Sequence, residues 1–343
     1  MCLTKAHGKS QNDGNGKRGE SVELEKVKGI VTLVLIVIIV MSAFVVVYSS
    51  RGSQRTVGDI VVVDSQGYKT TLESVPDRII SIAPSVTPIL FEIGVGDKVV
   101  GLTAYDDSPY NFSAWFAAGN MTSVGGFSTP SLEIILSLQP DVIFTTDINN
   151  AIIPNMRNLG LNVIVVGPKS IEDIYQTIKL IGKATGAENN AEKLVNKLTS
   201  QINNVVSTIN AANIAAKPVV YFEIWLSNAG FMTVGANSWQ NDVITTAGGI
   251  NMFSTTPEEY PITSLEVIIT DNPDVILLPT DMGGAPSYGS VDTVRARPGW
   301  NTISAVKNDH IYVIDADLFN QPGIRVAEQV QTIAACLYPD LFP

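Results

Sequence analysis

Apolar residues recur along this chain with two different periods, and the switches between them mark out its elements. Residues 131–144, SLEIILSLQPDVIF, place apolar side chains at helical spacing, then Pro-Asp, then a consecutive apolar run. Pro disfavours helix at the residue before it, and a β-branched run suits a strand covered on both faces. The stretch therefore predicts a short helix, a turn and a buried strand. It returns at residues 264–277, SLEVIITDNPDVIL, with eight of fourteen positions identical. Copies 133 residues apart are too distant for a solenoid repeat and predict two similar α/β lobes.

The rest of the pattern fits around these copies. Residues 59–63 and 68–72 bracket Ser65-Gln66-Gly67 as a β-hairpin. Residues 78–83 form a strand, Pro84 to Pro88 opens a helix that ends at Gly94, and residues 99–102 complete a parallel strand–helix–strand unit. An irregular connection over 105–120 precedes the first copy, and a strand over 162–166 follows it. Ser170 caps a helix whose Ile171, Ile174, Ile178 and Ile181 share one face, and Gly186 interrupts it. A second helical pattern starts at Glu188 and continues through Ile209. It comprises about 24 residues, or about 36 Å, and reads as a stiff strut between the lobes. Strands at 219–224 and 231–234, a helix over 239–247, the second copy, a Gly/Pro-rich loop at 281–289, a strand at 311–314 and a helix over 326–337 finish the chain. The organisation predicted is an N-terminal lobe with its entry hairpin over 51–169, a bridging helical segment over 170–216 and a C-terminal lobe over 217–343.

Residues 30–48 carry no charge and are almost wholly apolar, long enough to cross a bilayer. Lys17, Arg18, Lys26 and Lys28 precede them, against Arg51 and Arg55 after. This bias predicts a cytoplasmic tail over 1–28, a transmembrane anchor or signal over 29–50, with a retained single-pass anchor favoured over a cleaved signal, and everything beyond on the extracellular face of the cell membrane. No Cys follows the run, so lipid attachment there is excluded. Cys2 and Cys336 then lie on opposite sides of the membrane and cannot pair.

Charge and residue counts narrow the chemistry. The net charge is −11, and beyond residue 50 there are 16 basic and 29 acidic groups, a balance that argues against nucleic acid as partner. The exported part holds one histidine, His310, in a Lys-Asn-Asp turn before a strand, which excludes a serine–histidine hydrolase and a multi-imidazole metal site. Gly94-Val95-Gly96 leads into a strand, the wrong context for a phosphate loop. Asp106, Asp107, Asp147, Asp281, Asp315 and Asp317 lie near strand ends and leave paired-carboxylate catalysis by a tethered enzyme open as an alternative. A binder fits better, with candidates on loops at the C-terminal ends of strands: Ser85, Tyr105, Phe127, Trp225, Tyr260, Phe319 and Arg325. Aromatics facing one another across two lobes suit a large, flat, partly apolar ligand. Asn111 and Asn120 begin N-glycosylation sequons.

Four stretches, RIISIAPSVTPILFEIGVGDKVVGLTAYDDSP, VGGFSTPSLEIILSLQPDVIFTT, YPITSLEVIITDNPDVILLP and RPGWNTISAVKNDHIYVID, resemble in order the substrate-binding proteins of ABC importers for cobalamin and ferric siderophores. The resemblance covers residues 60–342. It implies two Rossmann-like lobes with parallel sheets joined by one long helix, a ligand clamped between them, no cofactor of the protein's own, and an ABC permease with its ATPase as partners. It maps permease-docking carboxylates onto Glu133 and Glu266, and corrin-flanking aromatics onto Tyr105 and Tyr260. Two family tryptophans are replaced, one near Gly125 with Phe127 close by, the other at Leu318 beside Phe319. Ferric catecholate binders would be expected to hold several arginines near the cleft, where only Arg325 is well placed and Arg295 and Arg297 are further candidates. A corrinoid is therefore the expected ligand, with an iron chelate or a ligand-sensing role on the same scaffold as alternatives.

Overall fold

The computed structural model describes residues 59–106, 109–280 and 291–342. The expected tail and anchor, and the loop over 281–289, lie outside them. Among the described residues no helix is long and apolar enough to cross a membrane.

Strands β1 (Ile60–Val63) and β2 (Lys69–Leu72) form the antiparallel entry hairpin. It is fastened to the first sheet by Asp64, whose carboxylate accepts from Arg157 at 2.7 Å and from the Val165 amide at 3.2 Å. The Arg157 guanidinium also lies 3.6 Å over the Tyr68 ring. The first sheet is wholly parallel, with β3 (Ile79–Ser81), β4 (Val99–Leu102), β5 (Thr122–Ser123), β6 (Val142–Thr146) and β7 (Val163–Val166) in the order β5-β4-β3-β6-β7. Strand β6 lies between β3 and β7, and its side chains divide by parity: Val142 and Phe144 enter one core, Ile143 the other. An unbroken apolar run is what two covered faces require.

The second sheet contains β8 (Val219–Ser227), β9 (Gly230–Thr233), β10 (Ile250–Asn251), β11 (Ile262–Thr263), β12 (Val275–Pro279) and β13 (Ile311–Ile314). Its order is β11-β9-β8-β12-β13, with β10 also on β8. This sheet is mixed, which corrects the expectation of parallel sheets in both lobes. Strands β8, β10, β12 and β13 are parallel, but β9 runs antiparallel to β8 and to β11. Only Asn228 and Ala229 separate β8 from β9, and two residues can close a hairpin but cannot carry a crossover.

Between the sheets run a helix over Ile171–Thr185 and the 24-residue helix Glu188–Ala211, separated at Gly186 in the left-handed region with φ 70°. Asn190 near the start of the long helix donates to the Ile93 carbonyl of the first lobe at 2.9 Å. Ile209 near its end packs beside Gly248 of the second lobe. Its buried Leu194, Leu198, Ile202 and Val205 belong to one core with β-strand residues of both lobes, so the strut is welded at each end.

Candidate functional site

The loops leaving the C-terminal ends of β3, β4, β6 and β7 converge on a cleft of about 560 Å³, faced by loops of the second lobe. Parallel strands deliver their loops to one edge of a sheet, and that edge is where open α/β sheets hold ligands. From the first lobe come Ser85, Tyr105, Phe127, Asp147, Ile148 and Lys169; from the second come Trp239, Glu259, Tyr260, Asp317, Asn320 and Gln321.

The Tyr105 and Phe127 rings meet edge to face, 5.6 Å between centroids. Each is held by a buried polar group beneath it. Asp106 accepts from the Thr103 amide at 2.7 Å and from the Thr103 hydroxyl, fixing the turn that carries Tyr105. Asn149, 2 % exposed, donates from Nδ2 to the Phe127 carbonyl at 2.8 Å and to Thr145 Oγ1 at 3.0 Å. Across the cleft the Tyr260 hydroxyl donates to Gln240 Oε1 at 3.3 Å. Burial of its hydroxyl end and then the neighbouring Glu259 carboxylate push this phenol well above its ordinary range, so it presents a neutral O–H. Burial, reinforced by Asp315 and opposed by Arg325, likewise raises Asp317.

Among the described residues, polar contacts reach the second lobe from the first lobe and from the start of the bridging segment. Lys169 Nζ lies 3.4 Å from Glu259 Oε2, and the Ile171 amide donates to Asp242 Oδ2 at 2.8 Å.

Four of the seven expected ligand residues, Ser85, Tyr105, Phe127 and Tyr260, thus line one cleft. The other three lie elsewhere. Strand β8 continues to Ser227 and turns back, so Trp225 sits in a hairpin arm opposite Met232, 52 % exposed and outside the cleft lining. Phe319 ends a short helix, Ala316–Phe319, and is completely buried with its ring 6.1 Å from Phe222; it packs in its own lobe. Arg325 lines a small adjoining pocket with Ser85 and Asp317, and its guanidinium is paired with Glu328 at 2.8 Å. The further arginines are committed as well: Arg295 pairs with Asp292 and Asp309, and Arg297 with Glu223. Asp107 and Asp281 lie outside the described residues, and Asp315 caps the Ala316–Phe319 helix.

Sequence reading missed Trp239, Ile148, Lys169 and Glu259. Trp239 had a usable signal, because Ser238 caps the helix it begins and a helix start is at the ligand edge of such a sheet. Glu133 and Glu266 are both exposed in the first turn of their repeat helices, Leu132–Ser137 and Leu265–Asp271. Hydrogen bonds from the Ser264 hydroxyl and its own amide lower the Glu266 carboxyl.

Comparison with known proteins agrees with this geometry. A family model described as "Periplasmic binding protein" matches residues 79–318. An ABC transporter substrate-binding lipoprotein of Bacillus subtilis, YvrC, is 28 % identical over 299 residues, covering 85 % of this chain and 90 % of that protein. The vitamin B12-binding protein of Vibrio cholerae is 27 % identical over 265 residues, covering 76 % and 88 %. Among solved structures, the apo periplasmic heme-binding protein RhuT of Roseiflexus sp. RS-1 superposes with a TM-score of 0.66 at 25 % identity, covering 77 % of this chain and 99 % of that one. Such relatives are binding proteins for transport and not enzymes, and this chain belongs to the periplasmic binding protein family as a substrate-binding protein.

Proposed function

We propose that the chain captures a corrinoid in the cleft between its lobes and delivers it to an ABC permease. The observation that carries this is the make-up of the cleft: Tyr105 and Phe127 from one lobe and Tyr260 from the other supply aromatic surface, with the buried Trp239 at its edge, while the charged lining is Asp147, Glu259 and Asp317 against Lys169. Flat aromatic walls suit a macrocycle. A net negative lining repels a multiply anionic ferric catecholate and does not favour the two carboxylates of heme, whereas a corrinoid is neutral or cationic overall. The vitamin B12-binding relative supports the same ligand class.

A thermal-shift panel of cyanocobalamin, dicyanocobinamide, heme and a ferric catecholate tests the proposal. At 100 times its dissociation constant, a ligand adds about 2.7 kcal/mol of stability. The corrinoids should raise the melting temperature; a shift with heme or the catecholate alone would reassign the ligand, and no shift with any would remove the capture role. In this reading Glu133 and Glu266 are the paired charges offered to the permease, and residues 30–48 tether the lobes to the cell membrane. Extraction of the full chain from membranes by detergent but not by alkaline carbonate is the expected behaviour of such a tether; release by carbonate alone would contradict it.

A further inference from the structure

Among the described residues that line the cleft, Lys169 is the one cation. It stands at the seam immediately before the Ser170-capped helix, with Glu259 of the opposite lobe at 3.4 Å. The Lys169 side chain is 55 % exposed and that of Glu259 33 %. An ion pair so open to water contributes little and exchanges partners readily. The neighbouring contact has the same polarity, since the amide at the start of the same helix receives the Asp242 carboxylate of the second lobe. At this seam the Lys169 ammonium and the first amide of the bridging helix both face carboxylates of the second lobe, while Asp173 in the first turn of that helix accepts from the Lys169 amide at 3.1 Å. Elsewhere the charged lining of the cleft consists of Asp147 and Asp317.

We infer that Lys169 is the specificity-determining residue for a single anionic group on the ligand, and that Glu259 holds its place while the cleft is empty. The inference rests on the corrinoid reading and adds to it a chemical feature: a neutral or cationic macrocycle bearing one phosphodiester or carboxylate, placed at the seam while the ring lies between the aromatics. A ligand with several anionic groups would find one cation and three carboxylates. A ligand with none would leave Lys169 on Glu259.

Cyanocobalamin carries one phosphodiester and dicyanocobinamide carries none, and both are neutral overall. Equilibrium titration of the full chain with each, for the wild type, Lys169→Met and Glu259→Gln, separates the outcomes. Lys169→Met should weaken cyanocobalamin about tenfold or more, change dicyanocobinamide by less than about threefold, and leave the melting temperature of the free protein unchanged. Glu259→Gln should tighten cyanocobalamin relative to dicyanocobinamide, because the competing carboxylate is gone. Equal shifts for both ligands in either variant would make the pair a simple clasp between lobes and overturn the inference, as would no shift in either. Failure of the wild type to bind either compound is a different result, which would remove the corrinoid reading itself and the inference with it.

Discussion

Glu223 has none of its side chain exposed, and a carboxylate in that position survives only with a full complement of partners. Arg297 supplies them, with Nη1 and Nη2 at 2.6 and 2.8 Å from the two carboxylate oxygens. The guanidinium also lies against two rings, 4.5 Å from the Trp300 centroid and 5.0 Å from that of Phe231, which are themselves 6.2 Å apart. Arg297→Met should therefore cost about 3–5 kcal/mol in denaturant unfolding, since it strands a buried charge, while the double variant Glu223→Leu/Arg297→Met should recover most of that loss. A single variant no less stable than wild type would show that the pair does not brace this lobe. The same arrangement explains what could not be read at this scale beforehand. An arginine near a predicted cleft looks like a ligand residue, and only the fold reveals that Glu223 and two rings claim it. Phe319 is the same case: an aromatic after a strand either faces ligand or turns inward onto Phe222, and its identity is equal in both. Tyr105, Phe127 and Tyr260 do line the cleft, the first two in the loops that follow β4 and β5 and Tyr260 just ahead of β11.

At the scale of elements, the repeated stretch was the most legible part of the molecule, and the structure shows why its residues recur. In each copy the residue before Pro is left-handed, Gln139 with φ 47° and Asn272 with φ 48°. In each copy the Asp after Pro holds the strand that enters its sheet. Asp141 Oδ2 accepts from the Asp77 and Arg78 amides, both at 2.8 Å, and Asp274 Oδ2 from the Val219 amide at 2.9 Å. Asp141→Ala should consequently destabilise more than Asp274→Ala, by about 1 kcal/mol, because it loses two acceptor contacts rather than one. Equal losses in thermal denaturation would contradict that assignment. Between the two bridging helices, Gly186→Ala should cost about 1–2 kcal/mol: a Cβ there would be left-handed and 2.9 Å from Val75 Cγ2. Helix boundaries followed from pattern because Ser170 and Gly186 punctuate them. The antiparallel β9 did not, since alternation within a strand is silent about the direction of its neighbour.

For the molecule as a whole, the long helix shares one core with both lobes, so opening them far apart would expose apolar surface along Leu194 to Ile209. Ligand binding is expected to change the radius of gyration in solution by less than about 1 Å; a change of several ångströms on saturation would mean the strut bends. The duplicated architecture also places Glu133 and Glu266 at equivalent points of two lobes, a pattern suited to a permease with two-fold symmetry. Reversing both to Lys should abolish uptake in cells while leaving the binding constant unchanged, because both side chains are exposed and outside the cleft lining. In the proposed function the aromatic cleft grips one corrinoid. Titration of the full chain with cyanocobalamin, followed by quenching of tryptophan fluorescence, tests it most directly, since Trp239 lines that cleft. Saturation at one ligand per chain, weakened at least about tenfold by Tyr105→Ala and by Tyr260→Ala, is the predicted result. Quenching that fails to saturate, or that neither substitution alters, would contradict it.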